Sequence, residues 1–281
     1  MNTVSVIIPA YNRRTVLGRA LRSVLDQKPD PDEVLVVDDG STDGTSEWLA
    51  REFPSVLLIR QANQGPAAAR NRGIEKAKGT WVAFLDSDDE WLPGKLKSQW
   101  DFFRGHPEYR IAQTEELWIR NGQRVNPMKK HQKYGGWIFE KCLPLCLISP
   151  SAVMMQKSLL LETGLFDESY PACEDYELWL RITAACPVGL ITRPGIKKYG
   201  GHADQRSREF PAMDRFRIRA LIKTLESGLL NPLQTQSALA MLAEKSAIFF
   251  AGAEKRGPHE EAGSLKRKLD EIKNRFPEFA L

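Results

Sequence analysis

Four short apolar segments alternate with amphipathic segments over the first 85 residues, and this alternation restricts the fold more than any other feature. The apolar segments have the length of buried strands, and the segments between them repeat apolar residues with helical spacing. Strands are predicted at residues 4–9, 33–38, 56–59 and 81–85, and helices at residues 14–27, 44–53 and 66–78. Such an alternation predicts a mostly parallel sheet with helices on both faces.

Polar residues follow three of these strands, at residues 9–12, 38–41 and 86–88. Because sheets of this kind bind ligands beyond the carboxyl ends of their strands, we expect the three segments to lie along one rim. The sequence has neither a G-x-G-x-x-G segment after its first strand nor a Walker phosphate loop. A carboxylate such as Asp39 suits a base or a ribose, since it accepts hydrogen bonds from a uracil N–H or from sugar hydroxyls, and Tyr11 offers a ring face to the base. Turn formation and helix capping explain Asp38 and Asp39 equally well.

Asp86 and Asp88 predict a metal site. On an extended backbone the two side chains point to the same side, and neighbouring carboxylates repel each other. Mg²⁺ or Mn²⁺ relieves this repulsion, and Mg²⁺ typically binds through one or two carboxylates together with substrate phosphates. The pair therefore predicts a metal ion shared with a diphosphate. The alternative is an acidic turn before a helix over residues 93–104.

Composition and charge exclude several classes of protein. A net charge of +4 is too small to indicate binding to nucleic acid, and no apolar run approaches the roughly 18 residues of a membrane span. The N-terminus lacks the basic and apolar regions of a signal peptide, so the protein is expected in the cytoplasm. Cys142, Cys146, Cys173 and Cys186 have neither zinc-site nor disulfide spacing, and they are expected to be buried thiols.

The second part of the chain is less regular. Further strands are predicted at residues 110–120, 124–125 and 189–192, and residues 149–155 are expected to form a strand at the far side of the sheet. Residues 128–136 indicate a loop, and a helix is expected to begin at Glu174-Asp175. Carboxylates in a first helical turn are stabilised by the helix dipole, typically by under about 1 kcal/mol, which is a structural explanation for this pair.

Residues 211–281 predict a helical extension. Three helices are expected, at residues 217–225, 233–250 and 264–276, and the last carries an apolar stripe of Leu265, Leu269, Ile272 and Phe276 among basic residues. The stripe would suit an anionic membrane surface. The favoured alternative is packing against the catalytic domain or a second subunit, because such stripes are usually part of a core.

Four segments together resemble family 2 glycosyltransferases of the GT-A fold: residues 5–12, 36–43, 63–73 and 84–89. The resemblance implies an α/β, Rossmann-like GT-A domain with a mixed, mostly parallel sheet flanked by helices. It covers most of residues 1–210, with a nucleotide-sugar half at 1–105 and an acceptor half at 106–210. The loop at 128–136 would lie on the acceptor side, where it would either close over substrate or remain a basic surface loop.

The resemblance also implies roles for individual residues. Pro9, Ala10, Tyr11 and Asn12 would line the nucleoside pocket, Asp39 would hold uracil, Arg70 would fix the nucleotide segment, and Asp86 and Ser87 would lie beside the ribose and diphosphate. Asp88, Asp86 and His202 would bind the metal. Asp175 would be the catalytic base, and Glu174 would orient the site or meet an acceptor hydroxyl. A surface salt bridge is the alternative for Arg70, and a structural role for His202.

The implied activity is an inverting, metal-dependent transfer of one sugar from a nucleotide sugar to an acceptor hydroxyl. A UDP-sugar is the expected donor, and a saccharide or lipid-linked glycan in cell-surface polysaccharide synthesis is the expected acceptor. The segment that begins at Gln205 has Glu209 where processive synthases have a tryptophan, so a single addition is expected. Peripheral contact with the inner face of the plasma membrane, or a homodimer, would involve the C-terminal helices. The rival functions are a non-catalytic nucleotide-sugar-binding protein and a sugar nucleotidyltransferase.

Overall fold

The computed structural model describes residues 2–201, 209–210, 212–256 and 261–277. The strands are β1 (Val4–Ala10), β2 (Glu33–Asp38), β3 (Leu57–Arg60), β4 (Trp81–Phe84), β5 (Glu90–Trp91), β6 (Ile111–Arg120), β7 (Gln123–Val125), β8 (Val153–Gln156) and β9 (Gly189–Gly200). The helices are α1 (Leu17–Leu25), α2 (Thr45–Glu52), α3 (Pro66–Lys76), α4 (Lys95–Gly105), α5 (Phe139–Cys142), α6 (Lys157–Thr163), α7 (Glu174–Ala185), α8 (Asp214–Glu226), α9 (Pro232–Arg256) and α10 (Ala262–Arg275). Single 3-10 turns occur at Lys129–His131 and Pro150–Ala152.

Within the described residues the strands form one mixed sheet in the order β3-β2-β1-β4-β8-β6-β9-β5, with β7 paired to β6. The first four strands in this order are parallel, β8 is antiparallel to both of its neighbours, and β6 and β9 are parallel to each other. The predicted α/β class and the parallel arrangement of the first half are therefore confirmed. The acidic segment after β4 begins near the middle of the sheet, beside the carboxyl end of β1.

Helices cover both faces of the sheet because strand side chains alternate between them. Ile7, Leu35 and Phe84 belong to the core that also contains residues of α3, α7 and the C-terminal helices. Their sequence neighbours Ile8 and Val36 belong to a second core, which contains residues of α1, α2 and α4. Two apolar cores on opposite faces thus hold the strand ends in position.

The prediction of a far-side strand over residues 149–155 is wrong. Residues 150–152 form a 3-10 turn, and the strand that follows, β8, lies between β4 and β6 in the interior of the sheet. Val153, Met154 and Met155 are all fully buried, as expected for a strand covered on both faces. The unbroken apolar run was therefore the signal of an interior strand.

The C-terminal helices pack on the rest of the chain. Phe216, Leu221 and Leu242 belong to the same core as α7, and Leu265, Leu269 and Ile272 of α10 are buried in it as well. The stripe therefore packs within the chain, which agrees with the alternative that the sequence favoured. Contact with a membrane or a second subunit through these helices would need another face and stays a prediction. No helix in the described part of the chain has both the length and the apolar character of a membrane span.

Lys95, in the first turn of α4, is buried, and no carboxylate of the described residues pairs with it. Its Nζ donates a hydrogen bond to Gln99 Oε1 (2.8 Å) and lies 4.0 Å from the centre of the Trp91 ring. Burial lowers the pKa of Lys95 well below its usual value. The folded protein therefore holds this proton more weakly than the unfolded chain does.

Replacing Lys95 with methionine is expected to increase the free energy of unfolding at neutral pH, and this gain should shrink as the pH rises towards about 10. At pH values between the folded and the unfolded pKa of Lys95, the unfolded chain binds more protons than the folded protein. The free energy of unfolding of the wild type therefore rises by up to about 1.4 kcal/mol per pH unit in this range, and that of the variant does not. Urea unfolding at several pH values measures the difference. The control is Lys97→Met, which removes an exposed lysine from the same helix. A Lys95→Met gain that does not change with pH would contradict the prediction.

Candidate functional site

The three polar strand ends meet at one cavity, as the sheet topology predicts. The cavity has a volume of about 390 Å³, and we call it the donor-side cavity after the predicted nucleotide-sugar-binding residues that line it: Pro9, Ala10, Tyr11, Asp39, Arg70, Asp86 and Ser87. Its other lining residues are Arg13, Asn63, Pro66, Ala69 and Glu209. The ends of β1 and β2 are joined where Asp39 N donates to Ala10 O (2.8 Å). Seven of the eight residues that the sequence proposed for nucleotide-sugar binding therefore line one cavity.

Asp39 is 4% exposed and already accepts three hydrogen bonds. Its Oδ1 accepts from Gln61 Nε2 (2.8 Å) and Gln64 N (2.9 Å), and its Oδ2 accepts from Gly65 N (2.8 Å). A carboxylate offers about four acceptor positions, so one position on Oδ2 remains for a ligand. Asp39 thus holds the segment before α3 against the cavity and still has the capacity to bind a base.

Asn12 is the predicted nucleotide-binding residue that does not line this cavity. Its backbone has φ of 52°, its Oδ1 accepts from Thr42 N (2.8 Å), and its N donates to Ser41 Oγ (2.8 Å). These bonds join the turn that contains Tyr11 to the loop after β2. The Asp38 carboxylate accepts hydrogen bonds from Ser41 N and Ser46 Oγ, which lie nearby in the sequence. This arrangement agrees with a role of Asp38 in the turn.

Arg70 is buried, so the surface salt bridge considered for it is wrong. Its Nη2 lies 2.8 Å from Asp86 Oδ1, and its Nη1 lies 2.8 Å from Glu174 Oε1. Burial by itself lowers the pKa of Arg70, but the carboxylates of Asp86 and Glu174 outweigh this effect and raise it above its usual value. The guanidinium group therefore joins the acidic segment after β4 to the first turn of α7.

Asp89 holds the acidic segment from its other side, a role that sequence reasoning missed. The side chain is 2% exposed; its Oδ2 accepts from Ser151 Oγ (2.7 Å) and its Oδ1 from Tyr199 N (3.0 Å). Burial, followed by the charges of Asp86 and Asp88, raises the pKa of Asp89 well above its usual value. The run of acidic residues after Ser87 was the only signal of this role in the sequence. Tyr199, the partner of Asp89 on β9, lies 110 residues away.

The carboxylates of Asp86 and Asp88 have the chemistry that suits a magnesium-like ion, but they line different cavities. Asp86 lines the donor-side cavity, and Asp88 lines another that shares Arg13 with it and also contains Asn12. Asp86 and Asp88 are both half-buried, and one oxygen of Asp86 is engaged by Arg70. No group of three or more His, Cys, Asp or Glu residues in the described chain is arranged to hold a metal. A site with one or two carboxylates that relies on substrate phosphates agrees with this donor set. His202, the third predicted ligand, lies outside the described residues.

Asp175 lies at a second cavity, of about 210 Å³, which we call the acceptor-side cavity because most of its lining belongs to the predicted acceptor half. The residue is half-buried in the first turn of α7, and its Oδ1 accepts from Tyr176 N (2.7 Å). Glu174 instead bonds to Arg70; burial and the charge of Asp175 raise its pKa, and Arg70 opposes them. Glu174 therefore suits the predicted orienting role, and Asp175 is the carboxylate of the pair that lines this cavity.

The cysteines of the chain are free thiols, as expected. Cys142 and Cys173 are buried, whereas Cys146 and Cys186 are half-buried. Burial raises the pKa of the Cys142 and Cys173 thiols to about 12. These side chains are consequently protonated at neutral pH and unreactive.

Comparison with known proteins gives consistent matches. The family described as Glycosyl transferase family 2 matches residues 5–159. An uncharacterized glycosyltransferase of Rickettsia bellii is 34% identical over 198 residues, which are 68% of this chain and 28% of that protein. The Escherichia coli protein named UDP-Glc:alpha-D-GlcNAc-diphosphoundecaprenol beta-1,3-glucosyltransferase WfaP is 33% identical over 65% of this chain and 70% of its own length.

Among solved structures, Staphylococcus aureus TarS 1–349 in complex with UDP-GlcNAc is 21% identical with a TM-score of 0.75, covering 98% of this chain and 82% of that one. This likeness shows the fold. The chain spans about a third of the length of the Rickettsia relatives, with 28%, 32% and 32% covered. The family matches more than half of the residues of the chain, and WfaP is a relative that the chain covers over 70% of its length. The chain therefore belongs to glycosyl transferase family 2.

Proposed function

We propose that the chain transfers a single sugar from a UDP-sugar to an acceptor hydroxyl with inversion of configuration. The observation that carries the proposal is the bridge made by Arg70, which holds Asp86 of the donor-side cavity and Glu174, the neighbour of Asp175, on one guanidinium group. This bridge would hold a donor site and a base on the acceptor side at a constant separation. Catalysis by positioning requires such an arrangement.

Asp175 is the proposed base. It would accept the proton of the acceptor hydroxyl as that oxygen bonds to the anomeric carbon, while the bond from that carbon to the diphosphate breaks on the opposite face. Glu174 would be fixed by Arg70 and would orient the first turn of α7. When bound at Asp88, Asp86 and the predicted ligand His202, Mg²⁺ or Mn²⁺ would stabilise the negative charge that develops on the departing diphosphate.

The relatives support the choice of donor and acceptor. WfaP and WfgD are named as enzymes that use UDP-Glc and a GlcNAc-diphosphoundecaprenol acceptor, and TarS has been solved with UDP-GlcNAc. We therefore infer a UDP-sugar donor and a saccharide or lipid-linked glycan as acceptor, in the synthesis of a cell-surface polysaccharide. Residues 1–210 would form the catalytic domain, and residues 211–281 the helical extension.

The deciding experiment measures nucleotide release from UDP-, GDP- and dTDP-sugars in the presence of Mn²⁺ or EDTA. Metal-dependent release of UDP from one donor is expected. Donor binding without release in the presence of a saccharide acceptor would favour a binding protein. Formation of pyrophosphate from UTP and a sugar 1-phosphate would favour a nucleotidyltransferase.

Asp88→Asn is expected to weaken metal-dependent UDP binding by about 10–100-fold or more. Loss of a residue that only supports a metal ligand already reduces metal affinity by that factor. An asparagine keeps the size of the side chain but removes the charge that attracts the ion. Titration with UDP at several Mn²⁺ concentrations measures the effect. Asp101→Asn, an exposed change on α4, is the control. An unchanged dependence on Mn²⁺ in Asp88→Asn would show that Asp88 is not a ligand.

A further inference from the structure

The acceptor-side cavity has the size of a site for one sugar ring. Its volume of about 210 Å³ lies below the roughly 300–1,000 Å³ of sites for drug-sized ligands. It is lined by Asp175, by residues from the C-terminal parts of β6 and β9, by His131 and Lys133, and by residues 146–149. None of the described residues lines both this cavity and the donor-side cavity. The cavity is therefore distinct from the donor-side cavity and has the proposed base in its wall.

One pair of charges in the wall is already compensated. Lys133 Nζ lies 2.6 Å from Glu116 Oε1, and both side chains are buried. Trp118 Nε1 donates to the other oxygen of Glu116 (2.9 Å), and Lys133 also donates to Leu147 O. The charges of Lys133 and Glu116 cancel, so this pair shapes the cavity and contributes no net charge to it.

Lys198, another cation of this wall, has no carboxylate partner among the described residues. Its Nζ donates to Ser149 Oγ (3.2 Å), and within the described chain no carboxylate oxygen lies within salt-bridge distance of it. An ammonium group has three N–H donors, which leaves two for a ligand. Burial by itself lowers the pKa of Lys198, but the more distant charges of Glu116, Asp89 and Asp86 outweigh it and keep the group protonated.

The rest of the lining suits the body of a sugar. Trp118 presents an indole ring, packed at 5.0 Å between ring centroids against His131, and Leu147 and Ile148 add apolar surface. Arg120, exposed at the end of β6, adds a second positive charge at the rim. A ring with apolar faces and an anionic substituent would therefore complement the cavity.

We propose that this cavity binds the terminal sugar of an acceptor that carries a phosphate or carboxylate group, and that Lys198 selects for that negative charge. The inference rests on the proposed function, because Asp175 in the same wall would then act on a hydroxyl of that sugar. Lys198 is thus a specificity-determining residue of the acceptor site. It donates hydrogen bonds to the anionic group and takes no part in the proton transfer.

The test compares two matched pairs of sugars: N-acetylglucosamine 1-phosphate with N-acetylglucosamine, and glucuronic acid with glucose. For each pair, ligand-observed NMR measures binding, and UDP release at saturating donor measures kcat/KM. The wild type should bind the anionic member of at least one pair about 10–100-fold more tightly, with a similar ratio in kcat/KM. This is the contribution expected from a hydrogen bond to a charged group. The pair that shows this preference identifies the anionic group as a phosphate or a carboxylate.

Lys198→Met should reduce that preference to near one, whereas Lys198→Arg should retain most of it. Because the preference is a ratio within one variant, a general loss of activity cancels. Lys141→Met removes an exposed lysine from α5 and should leave the ratio unchanged, which excludes a long-range effect of charge. Equal binding of both members of each pair by wild type, or an unchanged ratio in Lys198→Met, would overturn the proposal. If no acceptor supports UDP release, the proposed reaction fails, and the NMR ratios still decide the role of Lys198.

Discussion

Asp175→Asn is expected to slow sugar transfer by about 10²–10⁴-fold, the usual contribution of a general base, while the nucleotide sugar binds with its wild-type affinity. Asparagine has nearly the same size and can still accept the hydrogen bond from Tyr176 N, so the first turn of α7 should keep its structure. It has no basic oxygen to accept a proton from the acceptor hydroxyl. Asp175 lines the acceptor-side cavity and is absent from the described lining of the donor-side cavity, which is why donor binding should be unaffected.

The measurement needs two readouts on the same protein: the rate of transfer, and donor affinity by calorimetry. Asp270→Asn makes the same chemical change at an exposed position of α10 and should retain the wild-type rate. A wild-type rate in Asp175→Asn would exclude this residue as the base. A parallel loss of donor affinity would show that Asp175 serves the donor site instead.

The donor side of the site could be predicted from the sequence because its information is local. Each of β1, β2 and β4 is a short apolar run, and each is followed by polar residues, so the topology of a parallel sheet brings Tyr11, Asp39 and Asp86 together. A local pattern also identified Glu174-Asp175 as the beginning of a helix. None of these predictions required knowledge of contacts between distant residues.

The contacts that assemble the site could not be predicted, because they join residues far apart in sequence. Arg70 and Glu174 are 104 residues apart, and Asp89 and Tyr199 are 110 apart. Patterns of hydrophobicity report which face of an element is buried, but not which charged partner lies opposite it. For this reason a surface salt bridge stayed open as the alternative for Arg70, which is in fact buried.

The strand β9 was predicted too short for a related reason. The sequence indicated residues 189–192, since Pro194 and Gly195 interrupt the apolar pattern that follows. In the structure the strand continues to Gly200, and its pairing with β6 shifts register around Glu115, at the position of this interruption. Irregularities of this kind accommodate extra residues, here residues 192, 193 and 195, within a continuing strand. The strand also carries Lys198 and Tyr199 to the acceptor-side cavity.

Arg70→Met is expected to reduce the free energy of unfolding by about 3–5 kcal/mol, the usual cost of removing one partner from a buried ion pair. Methionine fills part of the space, but Asp86 and Glu174 lose the cation that they share. The remaining charges repel Asp175 and each other, so the pKa of Glu174, already raised by burial, should rise further. Transfer activity should fall as well, because the guanidinium group joins the donor-side cavity to the first turn of α7.

The matched control is Arg72→Met on the same helix, whose exposed pair with Glu75 should be worth no more than about 1 kcal/mol. The dependence on pH provides a second test. A carboxyl with a raised folded pKa binds more protons when folded, so the deficit of Arg70→Met should be smallest at acidic pH and should increase as the pH rises through that pKa. Adding Glu174→Gln to Arg70→Met removes one of the uncompensated charges and should recover part of the stability at neutral pH. If Arg70→Met unfolds at the same urea concentration as Arg72→Met, the bridge does not stabilise the fold, and the two cavities are held together by other contacts.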